Sequence, residues 1–337
     1  MQNLSDTITT TFAHKRIAIV GDLVADQFLH GTIARVSREA PVFILNHDTT
    51  DTHGGGAANA AVNVASLGGT PILIGFVGND ANGDLLLDKL RHSNVNCDLV
   101  IADAGLQTTT KIRVLAGQHY AARQQVIRID YENRAEIRRE IHERLRGNLA
   151  SVAADTDAII ISDYNYGVAT PEIVEFARQI SRERQIPLLI DSRFRLAEFS
   201  SATTATPNLD EVEQILGKNF SSENCSALRE KLGYEALLIT CGNKGMILYE
   251  RDKPERRIDA VGSIEPVDVT GAGDTVIAVY ALGIASGLSF FDAANLANHA
   301  GAIVVMKKGT ASVSVPELLN SIEANAFATT PHPGTIT

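Results

Sequence analysis

The chain has 337 residues, of which 45% are hydrophobic, 21% charged and only 5% aromatic, and this composition excludes a disordered or fibrous protein. The net charge of −10 argues against a general binder of nucleic acids or anionic membranes, because such surfaces need a positive field. The length allows one large α/β core or two smaller ones, and any anionic ligand must meet a local basic patch.

Cysteine usage and the N-terminal residues indicate a compartment. The three cysteines, Cys97, Cys225 and Cys241, are an odd number without CxxC spacing, which favours a reducing environment over a disulfide framework or a zinc site. Residues 1–11 lack a basic start followed by an apolar segment, and no apolar run reaches membrane-spanning length. We therefore expect a cytoplasmic protein that does not bind membranes or nucleic acids.

The first predicted strand covers residues 16–20 and is followed by two acids, Asp22 and Asp26. Its continuous apolar character is typical of a strand that is buried on both faces. Ligand sites in open α/β sheets collect at the carboxyl ends of such strands. The pattern by itself favours an ordinary polar loop for the two acids.

A glycine-rich stretch at residues 53–61 precedes a predicted helix of small residues, 57–67, which Gly68 and Gly69 close. Glycines let a polyhydroxylated ligand approach the main chain, and small side chains allow backbones to pack closely. A tight loop before a close-packed helix explains the pattern equally well, so both interpretations stay open.

Residues 108–115 and 124–130 are β-like runs that predict a hairpin. Between residues 105 and 128 the chain carries basic residues and no acid; they are Lys111, Arg113, Arg123 and Arg128. In an acidic chain this bias predicts a basic lid that faces an anionic substrate, with a solvated strand face as the alternative. The segment 28–47 has strand character and is expected to complete the lid sheet.

The second half of the chain continues the alternation of strands and helices. Predicted helices cover residues 135–150 and 171–184, and predicted strands cover 158–161, 188–191 and 236–240. A further helix opens at Asn208, where acids in the first turn suit ordinary capping.

The stretch from Asp268 to Asp274 places two acids around Gly271 and Gly273, directly before an apolar helix. Free backbone N–H groups and the positive end of the helix dipole point to the same spot, which suits a phosphate. An acid at a helix start after a glycine turn is the alternative, and the residues alone leave both open.

These residues resemble the C-terminal signature of the ribokinase-like (PfkB) family of sugar kinases, and residues 53–61 resemble its N-terminal signature. The resemblance implies a three-layer α/β/α fold with a mainly parallel sheet and a small β-sheet lid. It also implies that Asp274 is the general base and that Gly271, Ala272 and Gly273 form the anion hole. It further implies a sugar site, formed by Asp22, Asp26, Gly54, Gly55 and Asn59.

The same resemblance implies ATP as co-substrate and Mg²⁺ as cofactor, and it leaves a monovalent cation open. Asn208 and Glu211 match the family's Asn-x-x-Glu pair, which would hold Mg²⁺ through water, in keeping with the preference of this ion for oxygen ligands. The nucleotide residues implied are Asn208, Thr240, Gly242, Gly245, Asp268, Thr270 and Asn298.

Residues 35–42, 110–114 and 124–130 are similar to the kinase domain of bacterial enzymes that act on heptose 7-phosphate. The implied reaction phosphorylates the C1 hydroxyl of D-glycero-D-manno-heptose 7-phosphate, and the positive side chains expected at this substrate are Lys111, Arg113, Arg128 and Arg193. The chain departs from that subgroup at Tyr166, where lysine is usual, and at Ser192-Arg193, where Pro-Lys is usual. A kinase for ribose, a fructose phosphate or a nucleoside, and a non-catalytic sugar or nucleotide sensor, are the alternatives.

These inferences predict one kinase domain over residues 12–323, with lid insertions at about 28–48 and 107–130. Residues 324–337 are predicted to be a frayed C-terminal tail. Because lids in this family often pair between subunits, the resemblance also implies a homodimer.

Overall fold

The structure, a computed structural model, describes residues 2–118, 123–133, 135–263 and 265–329. The strands are β1 Arg16–Gly21, β2 Leu23–Val36, β3 Phe43–Gly56, β4 Thr70–Gly78, β5 Val100–Asp103, β6 Thr110–Gly117, β7 Gln124–Tyr131, β8 Ala158–Asp163, β9 Leu188–Ser192, β10 Thr204–Ala205, β11 Ala236–Thr240, β12 Met246–Glu250 and β13 Arg256–Ile258. The α-helices are α1 Gln2–Asp6, α2 Ala57–Ser66, α3 Ala81–His92, α4 Arg139–Val152, α5 Pro171–Arg184, α6 Leu209–Leu216, α7 Ser222–Leu232, α8 Ala272–Ala285, α9 Phe290–Val304 and α10 Val315–Thr329. A π-helical turn covers Thr7–Thr11, and 3₁₀ turns cover Phe12–His14, Ala153–Asp155, Leu196–Glu198 and Gly242–Lys244.

Nine of these strands form a large sheet in the order β13-β12-β11-β10-β9-β8-β1-β4-β5. Neighbouring strands from β11 to β5 are parallel, and β12 and β13 add an antiparallel edge. Because the carboxyl ends of parallel strands meet at one edge of a sheet, the segments that follow β1, β8, β9 and β11 collect there.

The core lies on both faces of the large sheet, as the apolar strands predict. In β1, Ile17 and Ile19 pack into the cluster formed with α2, α8 and α9, whereas Ala18 and Val20 pack into the cluster formed with α4, α5 and α7. Side chains alternate along a strand, so one short apolar run supplies both layers. The predicted α/β/α layering is confirmed.

A separate small sheet has the strand order β3-β2-β6-β7. The predicted hairpin is present, because β6 and β7 pair antiparallel, and β2 pairs with β3 antiparallel and with β6 parallel. The segment 28–47 does complete this sheet. Part of the turn predicted between β6 and β7 lies outside the described residues.

The element boundaries differ from the predictions in three places. The glycines at 54–56 do not form a loop but end β3, and α2 begins directly after them. Helix α4 begins at Arg139 rather than at 135, because Arg138 has an extended backbone conformation. Helix α10 runs to Thr329, so the first part of the predicted tail is helical, and residues 330–337 lie outside the described residues.

In the described part of the chain, none of the helices combines the length and the apolar character that crossing a bilayer requires.

Candidate active site

Helix α8 begins at the carboxyl edge of the large sheet with a glycine turn. Gly271 precedes the helix with a φ of +78°, and a Cβ there would lie 2.5 Å from Asn59 Nδ2, so this position needs glycine. The first N–H groups of an α-helix have no partner within the helix. A Cβ on Gly273 would meet no atom within 4 Å, which leaves the first turn open to a ligand. The turn therefore has the form of an anion cradle.

Asp274 lies in this first turn and is 2% exposed. Its Oδ1 accepts a hydrogen bond from Tyr164 Oη at 2.9 Å, and its Oδ2 accepts one from Asn59 Nδ2 at 3.1 Å. Burial raises the pKa of the Asp274 carboxyl to about 7, although both hydrogen bonds oppose that change. A carboxyl with a pKa near neutrality suits a general base.

Asn59 stands on α2 and faces the start of α8. Its Nδ2 also donates to the Gly271 carbonyl at 3.1 Å, and its Oδ1 accepts from Asn63 Nδ2 at 3.2 Å. The predicted sugar-binding amide thus contacts Asp274 and the cradle directly.

The glycines before α2 are sites of close packing. A Cβ on Gly55 would lie 2.4 Å from Asp26 Oδ2, and a Cβ on Gly54 would lie 2.9 Å from the Ala58 Cβ. The close-packing interpretation of this stretch therefore has direct support.

The two acids after β1 have different surroundings. Asp22 is 1% exposed and accepts hydrogen bonds from the backbone N–H groups of Tyr164, Tyr166 and Val168, so it anchors the loop that follows β8. Burial raises the pKa of Asp22 to about 6. Asp26 forms a buried ion pair with Arg113 at 2.5 Å. The Arg113 guanidinium also lies over the Phe28 ring.

A cavity of about 730 Å³ lies between the small sheet and the loops after β8 and β9. Three of the predicted substrate residues line it: Lys111, Arg128 and Arg193. Lys111 is 7% exposed, its Nζ lies 5.3 Å from the centre of the Tyr164 ring, and burial lowers the pKa of its ammonium group. Arg113 is not among the residues that line this cavity. The cavity is therefore lined by cations of the predicted basic segment, but three acids, Asp130, Glu132 and Glu136, line it as well, and Asp130 pairs with Arg128.

A second cavity, of about 290 Å³, lies on the other side of the cradle. Its walls include Ala272 and Gly273 together with predicted nucleotide residues, namely Asn208, Thr240, Gly242, Gly245 and Asn298. Asp268 and Thr270 do not line it. The Asp268 carboxylate instead accepts from the N–H groups of Thr270 and Gly309 and so fixes the turn before α8.

The predicted magnesium pair forms a capping box at the start of α6. The Asn208 side chain accepts from the Glu211 N–H, and the Glu211 carboxylate accepts from the Asn208 N–H, both at 2.9 Å. Burial raises the pKa of Glu211. No cluster of three or more His, Cys, Asp or Glu side chains able to hold a metal ion occurs among the described residues.

Two residues of the site were missed by the sequence reasoning. Tyr164 contacts Asp274, and Asp191 at the end of β9 has a pKa well above its usual range because of burial and the nearby charges of Glu211, Asp274 and Asp163. Both follow or end buried parallel strands, and that position was the signal that could have identified them.

Comparison with known proteins places this geometry in context. The family model described as pfkB family carbohydrate kinase matches residues 15–318. The "Bifunctional protein HldE" of Koribacter versatilis is 39% identical over 333 residues, which covers 96% of this chain and 66% of that protein. The protein of the same name from a Marinomonas species is 38% identical over 312 residues, which covers 91% of this chain and 64% of that protein. The chain thus spans slightly less than two thirds of the length of these relatives.

Solved structures show the same fold at low sequence identity. The Arabidopsis thaliana ribokinase complexed with ribose and ATP has a TM-score of 0.69 at 20% identity, covering 92% of this chain and 98% of that one. The Escherichia coli phosphofructokinase-2 in complex with substrates and products has a TM-score of 0.75 at 15% identity, covering 93% of this chain and 99% of that one.

Proposed function

Because the chain belongs to the PfkB family of carbohydrate kinases, we propose that it transfers the γ-phosphate of ATP to the C1 hydroxyl of D-glycero-D-manno-heptose 7-phosphate. A sugar kinase of this family uses ATP as co-substrate. The product would be the 1,7-bisphosphate, and the pool of ATP and sugar phosphate would be that of the cytoplasm.

One observation carries the proposed reaction, namely that Asp274 is in contact with residues of both cavities. Its hydrogen-bond partner Tyr164 lines the larger cavity, and its chain neighbour Gly273 lines the smaller one. In this proposal Asp274 takes the proton of the C1 hydroxyl while the hydroxyl oxygen attacks the γ-phosphorus and ADP leaves. The N–H groups of the cradle would stabilise the charge on the transferred phosphoryl group.

Two cations in the larger cavity support a substrate that already carries a phosphate. Lys111 on the small sheet and Arg193 after β9 line this cavity, whereas Arg128 is paired with Asp130 at 2.8 Å, and Glu132 and Glu136 also line the cavity. A terminal phosphate on the sugar would give Lys111 and Arg193 an anionic partner, since charge-assisted hydrogen bonds to phosphate are among the strong ones. An arginine at position 193 offers a forked donor in place of the lysine of the heptose kinases.

The substrate is tested by measuring ADP release with pairs of sugars that differ only in the terminal phosphate. We expect turnover with heptose 7-phosphate and little with free heptose. The variant Lys111→Met should raise the KM for the phosphorylated sugar. The matched control Arg123→Met removes a positive charge from the same hairpin, where Arg123 pairs with Asp48 at 2.6 Å. A preference for the unphosphorylated sugar would refute the substrate assignment.

For magnesium, we propose that Glu211 and Asn208 act through the water shell of the ion. Burial and the charge of Glu211 raise the pKa of the Asp191 carboxyl, so Asp191 and Glu211 are oxygen donors near each other in this region. Oxygen donors suit Mg²⁺, which would neutralise charge on the ATP phosphates. Titrating MgCl₂, with and without KCl, against activity tests both this proposal and the need for a monovalent cation.

We further propose that the small sheet pairs with that of a second copy. Strands β3 and β7, the end of β2 and the connection between β2 and β3 expose large apolar side chains; they include Val36, Val42, Phe43, Val126, Ile127 and Ile129. Exposed apolar groups of this kind mark interaction surfaces. Sedimentation should give a dimer that Ile127→Asp converts to a monomer, and an unchanged mass would reject this interface.

A further inference from the structure

The loop after β8 brings a phenol to the proposed catalytic base. Tyr164 Oη lies 2.9 Å from Asp274 Oδ1, although the two residues are 110 positions apart in the chain. We propose that Tyr164 is a positioning residue that aims the Asp274 carboxylate and holds it in the ionised form that accepts the sugar proton. This inference rests on the proposed function, in which Asp274 is the base.

The loop that carries Tyr164 is fixed at its backbone. Asp22 accepts hydrogen bonds from the N–H groups of Tyr164 at 2.8 Å, Tyr166 at 3.0 Å and Val168 at 3.1 Å. Asp163, one residue before Tyr164, accepts a hydrogen bond from Ser192 Oγ at 2.7 Å and forms an ion pair with Arg195. Tyr164 is therefore held in place by contacts that need no substrate, as pre-organisation of a site requires.

The hydrogen bond has a fixed direction. Burial and the charge of Asp274 raise the pKa of the Tyr164 hydroxyl well above its usual range, so the hydroxyl keeps its proton and acts as the donor. A donor favours the charged form of a carboxylate over the neutral form. Asn59 Nδ2 donates to the other oxygen of Asp274, so both oxygens of the carboxylate are oriented.

Charged groups on neighbouring strands also act on Asp274. The charge of Asp26 on β2 disfavours ionisation of Asp274, as burial does, and Asp274 in turn raises the pKa of Asp191 on β9. The Asp26 charge is paired with Arg113 on β6 at 2.5 Å. Lys111, also on β6, lies over the face of the Tyr164 ring. The hydrogen bonds of Asn59 and Tyr164, together with one from the Gly56 backbone, thus oppose the effect of burial on the pKa of this carboxyl.

The test compares pH profiles of kcat/KM for the wild type and Tyr164→Phe. This change keeps the ring and removes the donor. We expect the acidic limb of the profile to move to higher pH by about one unit in Tyr164→Phe. At pH values below that limb, kcat/KM of the variant should then be about tenfold lower than that of the wild type, and at alkaline pH the two should be equal. The substrate phosphate also titrates, but it affects the profiles of the wild type and of the variant equally, so it does not contribute to the difference between them.

The matched control is Tyr166→Phe, on the same loop. Its hydroxyl donates to Glu132 at 3.2 Å on an exposed edge, and its ring also faces Lys111. We expect a change in KM with the acidic limb unmoved. A limb that shifts equally in both variants would assign the effect to the loop in general and would overturn the role of Tyr164.

Failure of this inference is separable from failure of the proposed function. An active Asp274→Asn enzyme would remove the base itself. An inactive Asp274→Asn enzyme together with an unmoved limb in Tyr164→Phe would overturn the role of Tyr164 alone. If Tyr164→Phe unfolds below the assay temperature, a second experiment incorporates 3-fluorotyrosine into the Tyr166→Phe variant. The hydroxyl of 3-fluorotyrosine is a stronger hydrogen-bond donor than that of tyrosine, so the acidic limb of kcat/KM should move to lower pH than in Tyr166→Phe without fluorine. An unmoved limb would again overturn the inference.

Discussion

Replacing Asp274 with Asn should stabilise the protein at neutral pH while it removes activity. Burial raises the pKa of Asp274 from its ordinary 3.8 to about 7, so the folded chain binds this proton more tightly than the unfolded chain. Because the folded chain binds the proton more tightly, the contribution of Asp274 to the free energy of unfolding falls as pH rises from about 4 to about 7, and it does not change above pH 7. An asparagine is neutral throughout and avoids this loss.

The size of the gain in unfolding free energy follows from the same shift in the pKa of Asp274. Roughly three pH units at about 1.4 kcal/mol each give an upper bound of about 4 kcal/mol. The introduced asparagine can keep the network, because its carbonyl can accept from Asn59 and its amide can donate to the Tyr164 oxygen. We expect a gain of about 2–4 kcal/mol above pH 7, or about 3–6 °C in Tm for a chain of this length.

The assay is urea and thermal unfolding of both proteins at pH values from about 4 to 8. The difference in unfolding free energy should grow across this range and vanish near its acidic end. The control Asp88→Asn changes an exposed carboxylate on α3 and should have an effect below about 0.5 kcal/mol at every pH. An equal gain at both ends of the range, or a loss at pH 8, would refute the reasoning.

Three further predictions concern the cradle, the ion pair and the capping box. Gly273→Ala should keep its Tm but raise the KM for ATP and lower kcat, because its methyl group meets no protein atom within 4 Å and enters the cradle; an unchanged KM and kcat would argue against an anion site there. Arg113→Met should cost about 3–5 kcal/mol in urea unfolding, since Asp26 becomes a buried charge without its ion pair, and adding Asp26→Asn should recover part of that loss. Glu211→Gln should raise the Mg²⁺ concentration needed for half-maximal activity with little change in Tm, whereas Asn208→Ala should cost about 1 kcal/mol for the lost cap; equal Mg²⁺ requirements in Glu211→Gln and the wild type would exclude the metal role.

Much of the fold was predictable because its signals are local. The apolar run of β1 reflects its burial on both faces of the sheet, and the β-like residues of β6 and β7 indicate strands although β7 is exposed along its whole length. The first turn of α8 was equally readable, since Gly271 directly before the helix has a φ of +78°, a backbone conformation that favours glycine. The family membership rests on a match over residues 15–318.

Boundaries were less predictable where tertiary contacts decide them. Gly54 and Gly55 have the composition of a loop, yet they extend β3 because β2 supplies hydrogen-bonding partners along its whole length. Helix α4 starts later than its apolar periodicity suggests, although Ile137 before it still packs on the core. Pairing with a distant strand overrides local preference in the first case.

Neighbouring residues encode the alternation of strands and helices, the glycine turn before Asp274 and the basic bias of the hairpin, so these features were predictable. The partners of the polar side chains depend instead on how distant segments pack. Asp22 holds the N–H of Tyr164 from 142 positions away, and Tyr164 in turn holds Asp274. Strand order and register bring such residues to one edge of the sheet, and a hydrogen bond depends on tenths of an ångström that no local pattern encodes.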